Sequence, residues 1–154
     1  LVARKLVAAK DVLDTVDASG MRAADALRAH FLIDGGRAAD AFALLQPKAA
    51  ATALSPRGWR LLIDAALATG DTRAALDALP ALARSQSLTP ETQAALETRV
   101  LAAALSTAPE ASRLNDLWNG ASRAQRRSPE LIAAFARRCA AFPSSSVQRL
   151  TCLL

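Results

Sequence analysis

Side chains able to do bond-making chemistry are few in this chain, and they lie far apart. There is one histidine, His30, with no cysteine or pair of acids beside it in sequence. The two cysteines, Cys139 and Cys152, have neither metal-ligand spacing nor a disulfide framework around them, and they sit in apolar stretches that suit small buried residues. Catalysis requires a nucleophile with a base, a carboxylate pair or a ligand set. None of these is spelled out, so the residues predict a binding module rather than an enzyme.

Charge is the stronger signal. Residues 111–154 hold seven arginines, at 113, 123, 126, 127, 137, 138 and 149, against only Asp116 and Glu130, an excess of five positive charges. Residues 1–110 balance, with 12 basic and 12 acidic residues. The basic end suits an acidic protein surface, phosphate or anionic lipid, with a solvated helix face as the plain alternative. Nucleic acid is not expected, because no exposed aromatics interleave with these arginines and no nucleic-acid-binding motif accompanies them.

The elements that must carry these groups are helices. Hydrophobic residues make up 52% of the 154 residues and aromatics only 4%, so the apolar mass is mostly Ala and Leu. Both are strong helix formers. No strand-like alternation appears. No apolar run reaches the about 20 residues that span a bilayer. The chain starts at Leu1 rather than Met, which reads as an excised or processed fragment.

The stretch "SPRGWRLLIDAALATGD", residues 55–71, has the punctuation of one helix in a hairpin. Ser55 is an N-cap, Pro56 stands at the first helical position, and Gly70 closes the helix. Its landmarks recur. Leu54-Ser55-Pro56 returns as Leu88-Thr89-Pro90, Gly36 as Gly70, Ala41 as Ala75 and Leu45 as Leu79, all displaced by one constant interval. That interval is the length of a tetratricopeptide (TPR) repeat, about 34 residues. The expected fold is therefore all-α, a TPR-like α-α superhelix (solenoid) of antiparallel helix hairpins in a single domain, 1–154. The units are 21–54, 55–88, 89–127 and an incomplete 128–154, preceded at 1–18 by the last helix of an earlier unit.

In detail, the spacing predicts helices over 21–34, with Leu27 and Phe31 on one face, and over 37–51, with Ala41, Leu44 and Leu45 inward. Trp59, Leu62 and Ala66 take the packing slots of the next helix. Asp71 caps a return helix to about Arg84. Pro47 and Pro80 are expected to kink their helices or end the regular part. The third unit opens at Thr89-Pro90 with a helix to about Leu105, followed by one carrying Leu114, Leu117 and Trp118. Ser128-Pro129 follows Thr89-Pro90 by a wider interval than separates Thr89-Pro90 from Ser55-Pro56, so this unit is longer. The fourth presents Leu131, Ile132, Phe135, Ala136 and Cys139 as its apolar face. The tail "PSSSVQRLTCLL" shows no Gly turn and no return helix.

In a TPR array the first helix of each pair lines the concave face. This places Arg57, Arg60 and Asp64 on the groove side of the second unit, with Arg60 and Asp64 four apart and able to pair. It places Glu130 and Arg137 in the fourth. Arg60 and Arg137 suit a partner's carboxylate. Arg123, Arg126, Arg127, Arg137 and Arg138 form the basic end, which also suits anionic lipid headgroups.

Two stretches, "WRLLIDAALATGDTRAALDALPALARSQSLTPETQAALE" and "LNDLWNGASRAQRRSPELIAAFARRCAAF", resemble the HemY family of proteobacterial TPR proteins over about residues 27–142. The resemblance implies an inner-membrane protein anchored by N-terminal helices outside this chain, with this domain soluble on the cytoplasmic face. It also implies a scaffold for late haem (protoheme IX) synthesis enzymes. The chain departs from the family after Phe142, where a Gly turn and a return helix are expected. No cofactor is assigned. The alternative is direct haem or porphyrin binding, with His30 as the sole nitrogen ligand, arginines for the propionates, and Trp59, Trp118 or Phe135 to stack on the ring.

Overall fold

The computed structural model describes residues 21–51 and 54–143. The expected helix at 1–18, the cap at Ser19, and Arg149, Cys152 and the rest of the tail lie outside the described residues. Every described element is helical, with no strand among them. The elements are α1 (Met21–Asp34), α2 (Ala38–Ala50), α3 (Pro56–Thr69), α4 (Thr72–Arg84), α5 (Pro90–Thr107), α6 (Ala111–Gly120), a single 3-10 turn (Gln125–Arg127) and α7 (Pro129–Ala141). The chain divides into two compact units, Leu1–Ser87 and Leu88–Leu154.

Local rules explain most boundaries in the first unit. The Ser55 hydroxyl accepts a hydrogen bond from the Gly58 N–H at 3.1 Å, with Pro56 behind it at the first helical position. Asp71 caps α4 by accepting from the Ala74 N–H at 3.0 Å. Between the helices, two glycine closures repeat. Gly36 (φ +75°) donates to the Ile33 carbonyl while Arg37 reaches back to Leu32. Gly70 (φ +80°) donates to Leu67 while Asp71 reaches back to Ala66. Both are the Schellman arrangement, which satisfies the last carbonyls of a helix and requires a left-handed residue at that one position. The return helices α2 and α4 start and end one repeat period apart and are 13 residues long in each case.

The two prolines do not end their helices. Pro47 and Pro80 each lie inside a helix, and regular structure continues to Ala50 and Arg84. Proline removes one donor and crowds the carbonyl four residues back. Here that loss falls near the C-terminal end, where only about one more turn has to form.

α1 packs on α2 and α3, α2 on α3, and α3 on α4. α3 is consequently the most enclosed helix, with Gly58, Leu61, Leu62, Ile63, Ala65 and Ala66 all buried. Leu45 of α2 and Ala75, Ala78 and Leu82 of α4 complete the core. Burying a Leu or Ile side chain in this way is worth roughly 2 kcal/mol. Some expected packing residues sit less deeply. Leu27, Phe31, Leu44, Trp59 and Leu79 are only half-buried, and Ala26 and Ala29 are the deep residues of α1. Alanine lets helix backbones approach closely, which leaves the longer neighbours at the margins.

In the second unit, α5 packs on α6 and α7, α6 on α7, and the 3-10 turn on α7. Thr89 caps α5 by accepting from the Thr92 N–H at 3.3 Å, and the helix runs to Thr107, a little past the expected end at Leu105. The core joins Leu105, Ala108, Ala111, Leu114, Ala121, Leu131, Ala134 and Phe142. The apolar face of α7 differs from expectation. Leu131, Ala134 and Phe142 are buried and Phe135 and Cys139 half-buried, whereas Ile132 is 47% exposed and Ala136 is exposed. The face follows the i, i+3, i+4 rule from Leu131, and Ile132, one residue on, falls outside that stripe.

Candidate functional site

The predicted polar residues of α3 form the solvent stripe of an otherwise enclosed helix. Arg57, Arg60 and Asp64 are spaced i, i+3, i+7, so they share one side, away from the buried Leu62 and Ala66. Arg57 is exposed. The Arg60 Nε lies 3.9 Å from the Asp64 Oδ2, with both side chains partly exposed, so the expected pair forms with long geometry. An exposed pair of this kind contributes about 0–1 kcal/mol. Arg60 belongs to the first compact unit and Arg137 to the second.

The arginines at the basic end fall into two groups. Arg138 is tied into the fold. Its Nε donates to the Ala108 carbonyl at 2.6 Å, and its guanidinium lies 4.7 Å from the centre of the Phe142 ring. It thereby closes the C-terminal end of α5 against α7, which suits a cation near exposed carbonyls. Arg123, Arg126, Arg127 and Arg137 are exposed, and no carboxylate pairs with them among the described residues.

Three of those four sit on a braced turn. The Ser122 hydroxyl accepts from the Gln125 N–H at 3.2 Å, and the Gln125 side-chain carbonyl accepts from the Ser122 N–H at 2.9 Å. This reciprocal pair is the capping-box arrangement. The Gln125 amide then donates to the Glu97 carboxylate at 3.4 Å, and Gln93 donates to the other oxygen of Glu97 at 2.9 Å. The turn is also closed by main-chain bonds from Arg126 to Ser122 and from Arg127 to Ala124. Its arginines therefore project from a backbone anchored to α5.

Three of the residues named for a tetrapyrrole, Trp118, Phe135 and His30, have neighbours within the fold. Trp118 and Phe135 pack on each other, ring centres 4.6 Å apart and tilted by 34°. His30 lies 3.5 Å from Asp34 on the next turn of α1. Among the described residues, no three His, Cys, Asp or Glu side chains gather as a metal site, and no helix is long and apolar enough to cross a membrane.

One pair escaped the sequence reading. Asp25 of α1 is 5% exposed and forms an ion pair with Lys48 of α2. The two are far apart in the chain, and a single acid in an Ala-rich run carries no mark of its partner. The Glu97–Gln125 bond and the Arg138–Ala108 bond were equally hidden.

No family model matches the chain, and neither does any curated protein or solved structure.

Proposed function

We propose that this chain is a TPR-type helical-repeat module that holds protein partners without catalysing a reaction. The observation that supports it best is the repeated glycine closure at Gly36 and Gly70, each leading into a return helix of the same length, one repeat period from its counterpart. The packing order within each unit is compatible with it, since each helix touches its neighbour and α1 and α5 also touch the next helix but one. Repeat modules of this class present their outward residues to partners. On the resemblance to the HemY family, the partners are late haem-synthesis enzymes, and the module is held at the cytoplasmic face of a bacterial inner membrane by helices outside this chain.

The test is calorimetric titration of the purified chain with each late haem-synthesis enzyme. A saturable complex supports the scaffold reading; no complex with any of them removes the haem assignment. A parallel titration with haem and protoporphyrin IX, following the Soret band and tryptophan emission, includes His30→Ala and Arg137→Ala. Saturable binding weakened by either change replaces the scaffold with a tetrapyrrole carrier.

A further inference from the structure

Within that interaction-module reading, on which this inference rests, the second unit carries a surface whose chemistry selects its partner. We propose that Arg123, Arg126 and Arg127 on the braced turn, with Ile132 and Arg137 on the outer side of α7, form a docking surface for an acidic amphipathic segment of another protein. The segment lays an apolar side chain on Ile132 and its carboxylates on the arginines.

Three observations carry this. The first is charge: between residues 111 and 143 six arginines face only Asp116 and Glu130, and one of the six, Arg138, is used within the fold. The other turn and helix arginines find no carboxylate among the described residues. The second is preorganisation. The Ser122–Gln125 box and the Glu97 tether hold the turn before any partner arrives, which lowers the ordering cost of binding. The third is Ile132, the one large hydrophobic side chain strongly exposed among the described residues. It lies one helical turn after Ser128, whose carbonyl its N–H bonds, and so adjoins the end of the arginine turn. Ala133 and Ala136 are exposed beside it and leave room for a side chain from outside, and Arg137, one turn on from Ala133, lies at the far margin of the same exposed face. Glu130 is the one acid of α7; it lies in the N-terminal turn, on Arg137's margin of that face and away from Ile132.

The apolar surface decides between a peptide and a lipid surface, because the cations suit both. The chain's last lysine is Lys48, so every positive charge in this unit is a guanidinium. Its planar fork matches carboxylate and phosphate alike with two parallel hydrogen bonds. A helix that lies on a lipid surface presents a face of large apolar side chains to it, whereas α7 turns its apolar stripe onto α5 and leaves Ile132 alone outside.

The probe is a fluorescein-labelled helical peptide with leucines on one face and glutamates on the other, titrated into the intact chain at physiological salt. Saturable binding is expected. It should weaken about tenfold in Arg126→Gln/Arg127→Gln, measurably in Ile132→Ser, and not in Arg73→Gln, an exposed arginine of the first unit. A peptide with glutamine in place of glutamate should not bind. Phosphatidylglycerol vesicles and a phosphoserine version of the peptide are run alongside. No saturable binding of the acidic peptide, equal affinity for the double arginine variant, or binding to vesicles alone overturns the proposal. Circular dichroism of each variant confirms that it is folded. The wider module reading is separable: if the chain binds a haem-synthesis enzyme equally well with Arg126→Gln/Arg127→Gln, this surface is wrong while the module reading stands.

Discussion

Neighbouring arginines in α7 do different work. Arg138 bonds the Ala108 carbonyl and covers Phe142, while Arg137 points into solvent. Replacing Arg138 with alanine should lower stability by about 1–2 kcal/mol, because a charge-assisted bond and a ring contact are lost together. Arg137→Ala should change it by no more than about 0.5 kcal/mol. Urea unfolding of both variants checks this, and equal effects would remove the structural role given to Arg138. The Asp25–Lys48 pair makes a second contrast. Lys48→Met strands a buried carboxylate and should cost about 1–3 kcal/mol, the partial exposure of Lys48 keeping the figure below that of a fully buried pair. Adding Asp25→Ala should recover part of the loss. A double-mutant cycle that shows simple additivity would mean that the two groups do not interact.

At the scale of single elements, helix ends were the most legible feature. Ser55, Asp71 and Thr89 announce starts because a short polar side chain satisfies an orphan amide three positions on, a rule that needs nothing from the rest of the molecule. Gly36 and Gly70 announce stops for an equally local reason. A Cβ at either position would meet nothing within 4 Å, so the cost of Gly70→Ala is conformational alone, about 1 kcal/mol. Thermal melts of Gly36→Ala and Gly70→Ala should therefore show similar losses. The end of α4 supplies the reverse experiment. Gln86 occupies a left-handed conformation at φ +49°, and Gln86→Gly should raise stability by about 0.5–1 kcal/mol. Orientation was less legible. In α7 the Ala-rich sequence leaves two adjacent stripes almost equally apolar, and only packing on α5 decides that Leu131 and Ala134 go in while Ile132 stays out.

For the whole molecule, the all-helical class followed from composition and the regular spacing of the Gly and Pro landmarks. The contacts that brace the candidate surface did not, because they join α5 and its C-terminal end to segments far along the chain with no local signature. Each compact unit has its own core, and the second depends on Leu105, Leu114 and Leu131. Leu131→Ala should cost about 2–5 kcal/mol through the cavity it leaves, read as a shift in the denaturant midpoint. It should also loosen the arginine turn, which rests on the helix that Leu131 anchors.

The order in which helices touch within each unit has a kinetic consequence. Each strongly packed pair of described helices joins a helix to the next one or the next but one, so within a unit no contact has to wait for more than the following hairpin. Loop closure is then inexpensive at every step, and each hairpin is able to form as soon as its own glycine or proline punctuation is in place. Such a chain belongs among the fast folders, in the microsecond-to-millisecond range typical of local helical topologies. The hairpin of α1 and α2 packs on α3, and all three helices precede the arginine-bearing end in the order of synthesis.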